Sequence, residues 1–262
     1  MEMQRDIRSR VTCRVFFKEL LKSNLIVNTG EGEGSILATP SCARCHRLFG
    51  VGEVKEVEKR GIITKIKLND TTAALNIYTD KELQCKTELF LAFIGNLHLR
   101  EGRTKGGGFI IIVEEAGVVE EDVRNNWIVS TARRTMERIE LLRGFSFDWD
   151  TITSSNAEKN ALPGEQWMWE AVKHYAIDGE KLDALAGMAI NAVMGVRRYY
   201  SKTIKEMVLE MVEPTSSMGR DKLRGELEKR GVAAGEWIEE VIEELIAEGR
   251  CYEPEVGVLK VV

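Results

Sequence analysis

Apolar and polar residues alternate along the run Phe49, Gly50, Val51, Gly52, Glu53 and Val54, the period of a half-buried strand. Further short strands are predicted over residues 61–68, 73–79, 88–99 and 109–115. Asn69, Asp70, Thr71 and Thr72 form a tight polar turn between the second and third strands. Elsewhere the period lengthens to that of helices. An apolar stripe of Val11, Val15, Phe16, Leu20 and Leu21 predicts a helix over residues 9–22, followed by a loop carrying Gly30, Gly32 and Gly34. Residues 120–142 read as a long helix, acidic at its start and arginine-rich at its end, as the helix dipole favours. Its positions Val129, Ala132, Met136 and Ile139 step by three and four, the seam of a helix that packs on other helices. Serines, asparagines, Pro163 and Gly164 mark residues 145–164 as a linker, and helices are expected over 165–175 and 181–199.

Five short strands with a basic, glycine-rich loop (residues 100–107) between the last two describe an OB-fold, a barrel that commonly binds single-stranded nucleic acid or oligosaccharide across strands two and three and the flanking loops. The last sixty residues carry a different pattern. Helices are expected over 204–212, 219–229 and 234–248, ended by Pro214, Gly231 and Gly249, then two short strands around a turn at residues 254–257. Three helices and a terminal hairpin predict a winged helix-turn-helix. The expected fold class is α+β and multidomain. Residues 1–46 form an N-terminal helix and loop, 47–118 the OB-fold, and 119–143 its C-terminal assembly helix. Residues 144–202 form a linker with helices, and 203–262 the winged helix.

Length and charge sharpen this picture. The chain of 262 residues has room for two cores. Its net charge of −5 provides no general basic coat. Residues 203–262 hold 8 basic and 14 acidic side chains, so the acidity sits at the C-terminus and the remainder is about neutral. The expected helix over 234–248 bears Glu236, Glu239, Glu240, Glu243, Glu244 and Glu248, which would repel phosphates and favour docking of proteins. Trp237, Val241 and Leu245 share a face and read as core. No long apolar run or secretory leader is seen, and a cytoplasmic location without membrane partners is expected.

The barrel region resembles the OB domain of the middle subunit of replication protein A. Val51, Gly52, Glu53 and Val54, the strand over 63–68, the turn at Asn69–Thr72 and the strand ending at Tyr78 carry the likeness, with Phe93, Ile94, Gly95, Asn96 and Leu97 downstream. The segment from Arg14 to Leu20, and Thr39 and Pro40 leading into residues 47–52, resembles the archaeal branch, the replication protein A-associated proteins. The likeness covers about residues 10–143 and extends to 203–262 by pattern; residues 145–200 have no counterpart. It implies a single-stranded DNA-binding subunit, acting in DNA replication and repair, that assembles with other replication protein A subunits. The helix after the barrel would join a bundle, and the winged helix would recruit replication and repair proteins. A scaffold subunit that binds no DNA is the alternative.

Candidate DNA contacts follow from chemistry. Tyr78 lies near a stacking aromatic of that family, and stacking contributes about 1–3 kcal/mol per base. Phosphate contacts need flexible cations. Arg100, Arg103 and Lys105 in the glycine-rich loop come first, then Lys55, Lys59 and Arg60 around the first turn, then Lys65 and Lys67 on the second strand; Glu53, Glu56 and Glu58 interleave with them. The family often has an aromatic opening the last loop where this chain has Leu99 and Arg100, so lower affinity is expected. Phe90 and Phe93 lie three apart, so on a strand one of them faces the core.

Five cysteines, an odd count at scattered spacing, argue against a disulfide framework and are read as mostly reduced. Cys42, Cys45 and His46 spell a haem-attachment pattern, but nothing in the sequence suggests export. Structural zinc needs four ligands and no second pair follows. No phosphate-cradling loop with lysine, nucleophile elbow or paired-histidine motif is found. Neither enzymatic activity nor a cofactor or metal is expected.

Overall fold

The computed structural model describes residues 12–28, 35–83, 85–100, 108–144, 166–212, 217–230 and 235–262. The chain divides into two compact units, Met1–Val193 and Met194–Val262.

In the first unit, alternation becomes a closed barrel. Its strands are β4 (Arg47–Arg60), β5 (Ile63–Asn69), β6 (Ala74–Thr79), β7 (Phe90–Arg100) and β8 (Gly108–Val119), hydrogen-bonded in the order β4-β5-β6-β8-β7 and closed by β4 against β7. All pairings are antiparallel except β6 with β8. This is the OB-like order. Leu48, Val54, Ile66, Leu68, Ile77, Phe93 and Ile111 point inward and are buried. Each large side chain withdrawn from water in this way stabilises by about 1.5–3 kcal/mol. Gly95 faces a bulge in β8, where Glu114 is the extra residue, and an added Cβ would come within 2.8 Å of the Ile112 carbonyl oxygen, so a larger residue would push β7 and β8 apart.

The helix expected over residues 9–22 is shorter. Only α1 (Phe17–Leu21) is helical, while Phe16 is extended at its N-cap. The apolar stripe serves the barrel instead. Phe16, Phe17 and Leu20 are buried, and Phe17 lies with its ring centroid 6.4 Å from Phe93. The polar turn holds this segment: the Phe17 amide donates to Asp70 Oδ2 at 2.7 Å, and the Thr72 and Ala73 amides donate to Asp70 Oδ1.

The glycine loop is flanked by strands that periodicity did not reveal. β1 (Leu25–Asn28), β2 (Ser35–Ala38) and β3 (Arg44–Cys45) form a small antiparallel sheet. The helix α2 (Glu121–Gly144) follows the barrel, and α3 (Gln166–Tyr175) packs on β1 and β2. Tyr175 fixes that junction, its hydroxyl donating to the Ala38 carbonyl at 2.8 Å and accepting from the Asn24 and Leu25 amides. Glu19 is buried and accepts from Thr39 Oγ1 and Ser41 Oγ, each at 2.5 Å, with Arg138 of α2 at 3.9 Å.

The break expected between residues 199 and 204 is absent. One helix, α4, spans Gly179–Met211, because Ser201, Lys202 and Thr203 do not stop a helix as proline or glycine does. In the second unit, β9 (Met218–Gly219) precedes α5 (Arg220–Lys229), α6 (Gly235–Ala247) and the hairpin β10 (Cys251–Glu255) with β11 (Val258–Val261). The three strands pair in the order β10-β11-β9. Ile204, Val208, Leu223, Leu227, Ile238, Val241, Leu245 and Leu259 form its core. Among the described residues, no helix is long and apolar enough to cross a membrane.

Candidate nucleic-acid interface

Alternation that buries one face of a strand commits the other to the outside. Ile66 and Leu68 are buried, so Lys65 and Lys67 stand on the outer face of β5. Leu75 and Ile77 likewise place Asn76 and Tyr78 outside on β6, and Ile111 and Val113 place Ile110 and Ile112 outside on β8. Leu97 is buried in β7, leaving Asn96 and His98 outward. The registers align these into rows. Glu58 pairs with Lys65, Lys65 with Tyr78, Tyr78 with Ile112, and Ile112 with Asn96. Glu56, Lys67 and Asn76 make a second row, and His98 faces Ile110 in a third. Tyr78 is half-buried, between a lysine stem and an isoleucine. The surface offers one aromatic, two partly exposed isoleucines, two asparagines and a histidine, the mixture of flat apolar area and amide groups that can receive a base.

The cations on this face are paired. Lys65 Nζ lies 3.4 Å from Glu58 Oε2, and Arg60 binds Glu58 Oε1 through Nε at 2.8 Å. Lys55 meets Glu53 at 2.5 Å and Lys67 approaches Glu56 to 4.0 Å. The Arg60 hydrogen bond, then its charge and the Lys65 contacts, hold the Glu58 carboxyl below the ordinary glutamate range. Lys59 is exposed opposite Thr64. Such exposed pairs are worth little to stability, about 0–1 kcal/mol, but an arriving phosphate must compete with the carboxylates for them. Asn96 Nδ2 and Arg47 Nε both donate to Glu114, each at 2.6 Å.

The sequence-predicted residues divide into three groups. Tyr78, Lys65 and Lys67 share the outer face, with Lys55, Lys59 and Arg60 on the β4 arm beyond it. Arg103 and Lys105 lie outside the described residues, as does the side chain of Arg100, whose backbone ends β7. The expected assembly seam on α2 divides by burial. Ala132 and Ile139 are buried within the chain, and Met136 packs against the cluster that contains Ile139; Val129 alone of the four is 39% exposed. The buried face of α2 runs through Trp127, Ile128, Thr131, Ala132, Thr135, Ile139 and Leu142, so the apolar period is spent on the chain's own core. Trp127 Nε1 donates to the Phe49 carbonyl at 3.2 Å. Phe93 is the core member of its pair, and Phe90 lies under the Arg124 guanidinium, 4.9 Å from the ring centroid.

Asn76, Asn96, His98, Ile110 and Ile112 were missed by sequence reasoning. Strand parity with Tyr78 was the available signal for Asn76, but the other four required the β6–β8 and β7–β8 registers. The acids of α6 also look different in context. Glu239 and Glu243 bind Arg220, Glu240 binds Arg197, and Glu244 binds Lys205, so much of the negative charge is compensated within the second unit. Val241 and Leu245 are buried, and the ring centroid of the half-buried Trp237 lies 5.9 Å from that of Tyr200. Cys42 and Cys45 are buried, and among the described residues no group of three His, Cys, Asp or Glu side chains could hold a metal ion.

No family model and no curated protein matches the sequence. Among solved structures, the chain is similar to a replication protein A heterotrimer bound to single-stranded DNA, at 11% identity and a TM-score of 0.38, over 49% of this chain and 98% of that one. It is also similar to the S. pombe Stn1–Ten1 complex, at 7% identity and a TM-score of 0.39, over 50% of this chain and 95% of that one. An OBody bound to hen egg-white lysozyme aligns over 28% of this chain and 81% of that one, at 15% identity and a TM-score of 0.24. Likenesses this remote assign no function; the OB-like class of the barrel rests on its strand order, β4-β5-β6-β8-β7.

Proposed function

We propose that this chain is a non-enzymatic subunit of a single-stranded DNA-binding complex of the replication protein A type, of the archaeal branch, cytoplasmic and acting in DNA replication and repair. The observation that carries the reading is the row Lys65, Tyr78, Ile112 and Asn96 across the outer face of an OB-like barrel. Bases stack on Tyr78 and lie over Ile110 and Ile112, the amides of Asn76 and Asn96 meet base edges, and Lys65 and Lys67 meet phosphates. Arg100, Arg103 and Lys105 of the β7–β8 loop add phosphate contacts, with Lys55, Lys59 and Arg60 beyond. Carboxylates beside the described cations make this a weak site, with apolar contact contributing more than charge.

The second unit is a winged helix-turn-helix in this reading. Its order of helix, short strand, two helices and hairpin supports that assignment, with β9 completing the wing sheet. It recruits replication and repair proteins, since α6 presents carboxylates rather than cations. Assembly with sister subunits uses exposed positions of α2, such as Val129 and Leu141, rather than the buried seam.

One observation favours the scaffold alternative: Lys55, Arg60, Lys65 and Lys67 all have acidic neighbours. Titration of a labelled, unstructured oligonucleotide with the full chain and with its native complex separates the two. Saturable binding that falls with salt and is weakened by Arg103→Ala with Lys105→Ala supports the DNA-binding reading. Absence of binding by both preparations supports the scaffold.

A further inference from the structure

The CxxC motif does not pair with itself; one of its members meets a thiol from far earlier in the chain. Cys13 Sγ lies 2.7 Å from Cys45 Sγ, although the two residues are 32 apart in sequence. Both are free thiols. Backbone bonds fix the two sides independently of the sulfurs. The Cys13 amide donates to the Arg47 carbonyl at 2.7 Å, and the Phe49 amide donates to the Cys13 carbonyl at 2.9 Å, so Cys13 lies along the start of β4. Cys45 is fully buried at the end of β3, in register with Leu37 of β2. Cys42 is held elsewhere, in the left-handed region at φ 58, and its burial pushes the thiol up to about 12.

We propose that Cys13 and Cys45 form a reversible disulfide, a modification site that ties the segment leading into α1 to the strand before the barrel. The bonded distance is about 2.04 Å, a small approach from the observed contact. The oxidant is a low-molecular-weight disulfide, RSSR. Cys13, the more accessible thiol, loses its proton to solvent and attacks one sulfur of RSSR, giving a Cys13 mixed disulfide and one thiolate, which takes up a proton. Cys45 then loses its proton, attacks Cys13 Sγ and expels the second thiolate, which is also protonated. Two protein thiols are oxidised by two electrons in all, and RSSR is reduced to two RSH. Burial and the adjacent Cys13 thiol hold Cys45 well above the ordinary cysteine range, so it reacts second, through proximity. The bond closes a loop that contains α1 and β1–β2, which restricts the unfolded chain.

The test equilibrates the reduced full chain in glutathione buffers of graded redox ratio, followed by acid quench, alkylation and non-reducing peptide mapping. The expected result is a loss of two hydrogens in intact mass, a peptide joining Cys13 to Cys45, and a crosslinked-to-reduced ratio at least about tenfold above that of the same chain in denaturing urea. The linkage persists in a C42S, C85S, C251S variant; if that variant fails to fold, the wild-type map decides. A Cys42–Cys45 peptide, a glutathione adduct that remains on Cys13, or full alkylation of both thiols after equilibration overturns the proposal.

Discussion

Glu58 holds two cations at once: its Oε2 lies 3.4 Å from Lys65 Nζ, while its Oε1 accepts from Arg60 Nε at 2.8 Å. Both cations stand where the account places phosphates. Glu58→Gln is therefore expected to raise affinity for an unstructured oligonucleotide several-fold and to steepen the salt dependence by about 1.4 in log–log slope, about 0.7 for each cation released. Anisotropy titrations at several salt concentrations measure both. The Arg60 hydrogen bond holds the Glu58 carboxyl below its ordinary 4.5, so it releases its partners at a lower pH than an unpaired glutamate would.

Tyr78 is the stacking platform in this account. Tyr78→Ala is expected to weaken binding by about 1–3 kcal/mol, while Tyr78→Phe keeps most of it. Circular dichroism of each variant confirms that the barrel is intact. Equal losses in both variants would mean that the hydroxyl, rather than the ring face, makes the contact.

Asp70 sits at the other end of β5 and is structural. Burial pushes its carboxyl above the ordinary 3.8, against the opposing pull of the Phe17, Thr72 and Ala73 amides and the Thr72 hydroxyl. Because the native state takes up this proton at a higher pH than the unfolded chain does, the linked stabilisation is full below the unfolded value and is lost as pH rises through the native one. Asp70→Asn removes that dependence. It also turns an amide NH2 toward one set of backbone donors, at a cost of about 1–3 kcal/mol. Urea denaturation of both proteins between mildly acidic and neutral pH reads the magnitude and the sign.

The Glu19 cluster carries a larger penalty. Arg138 donates through Nε to Ser41 Oγ at 2.7 Å, and its NH2 approaches Glu19 Oε2. Arg138→Ala strands a buried carboxylate, and a loss of about 3–5 kcal/mol is expected. Adding Glu19→Gln to that variant removes the charge and should recover part of the loss. A double mutant no more stable than Arg138→Ala would place the penalty in packing around the arginine stem instead.

The barrel was legible because burial on one side imposes a strict period of two. Ile66, Ile77 and Ile111 announced their strands, and the Asn69–Thr72 turn fixed one register. Residues whose placement depends on distant partners were not legible. Val15 and Phe16 share a helical spacing with Leu20, yet they precede α1 and are buried outside it, since tertiary burial outweighs local period. The seam of α2 was visible as a stripe, but nothing in the stripe said whether its partner was the same chain or another. Leu25–Asn28 and Ser35–Ala38 are too short to declare themselves beside a glycine loop. The outer face was half legible: the parity of Tyr78 with Asn76 is local, whereas the meeting of Tyr78 with Ile112 comes from the parallel β6–β8 pairing.

The measurement closest to the central claim is a salt-resolved titration of a fluorescent oligothymidylate with the wild-type chain, beside its Tyr78→Ala variant. The account predicts saturable but weak binding with a shallow salt slope, lost mainly through the tyrosine. Tight binding with a steep slope that ignores Tyr78, or no binding at low salt by the chain and its native complex alike, would contradict it.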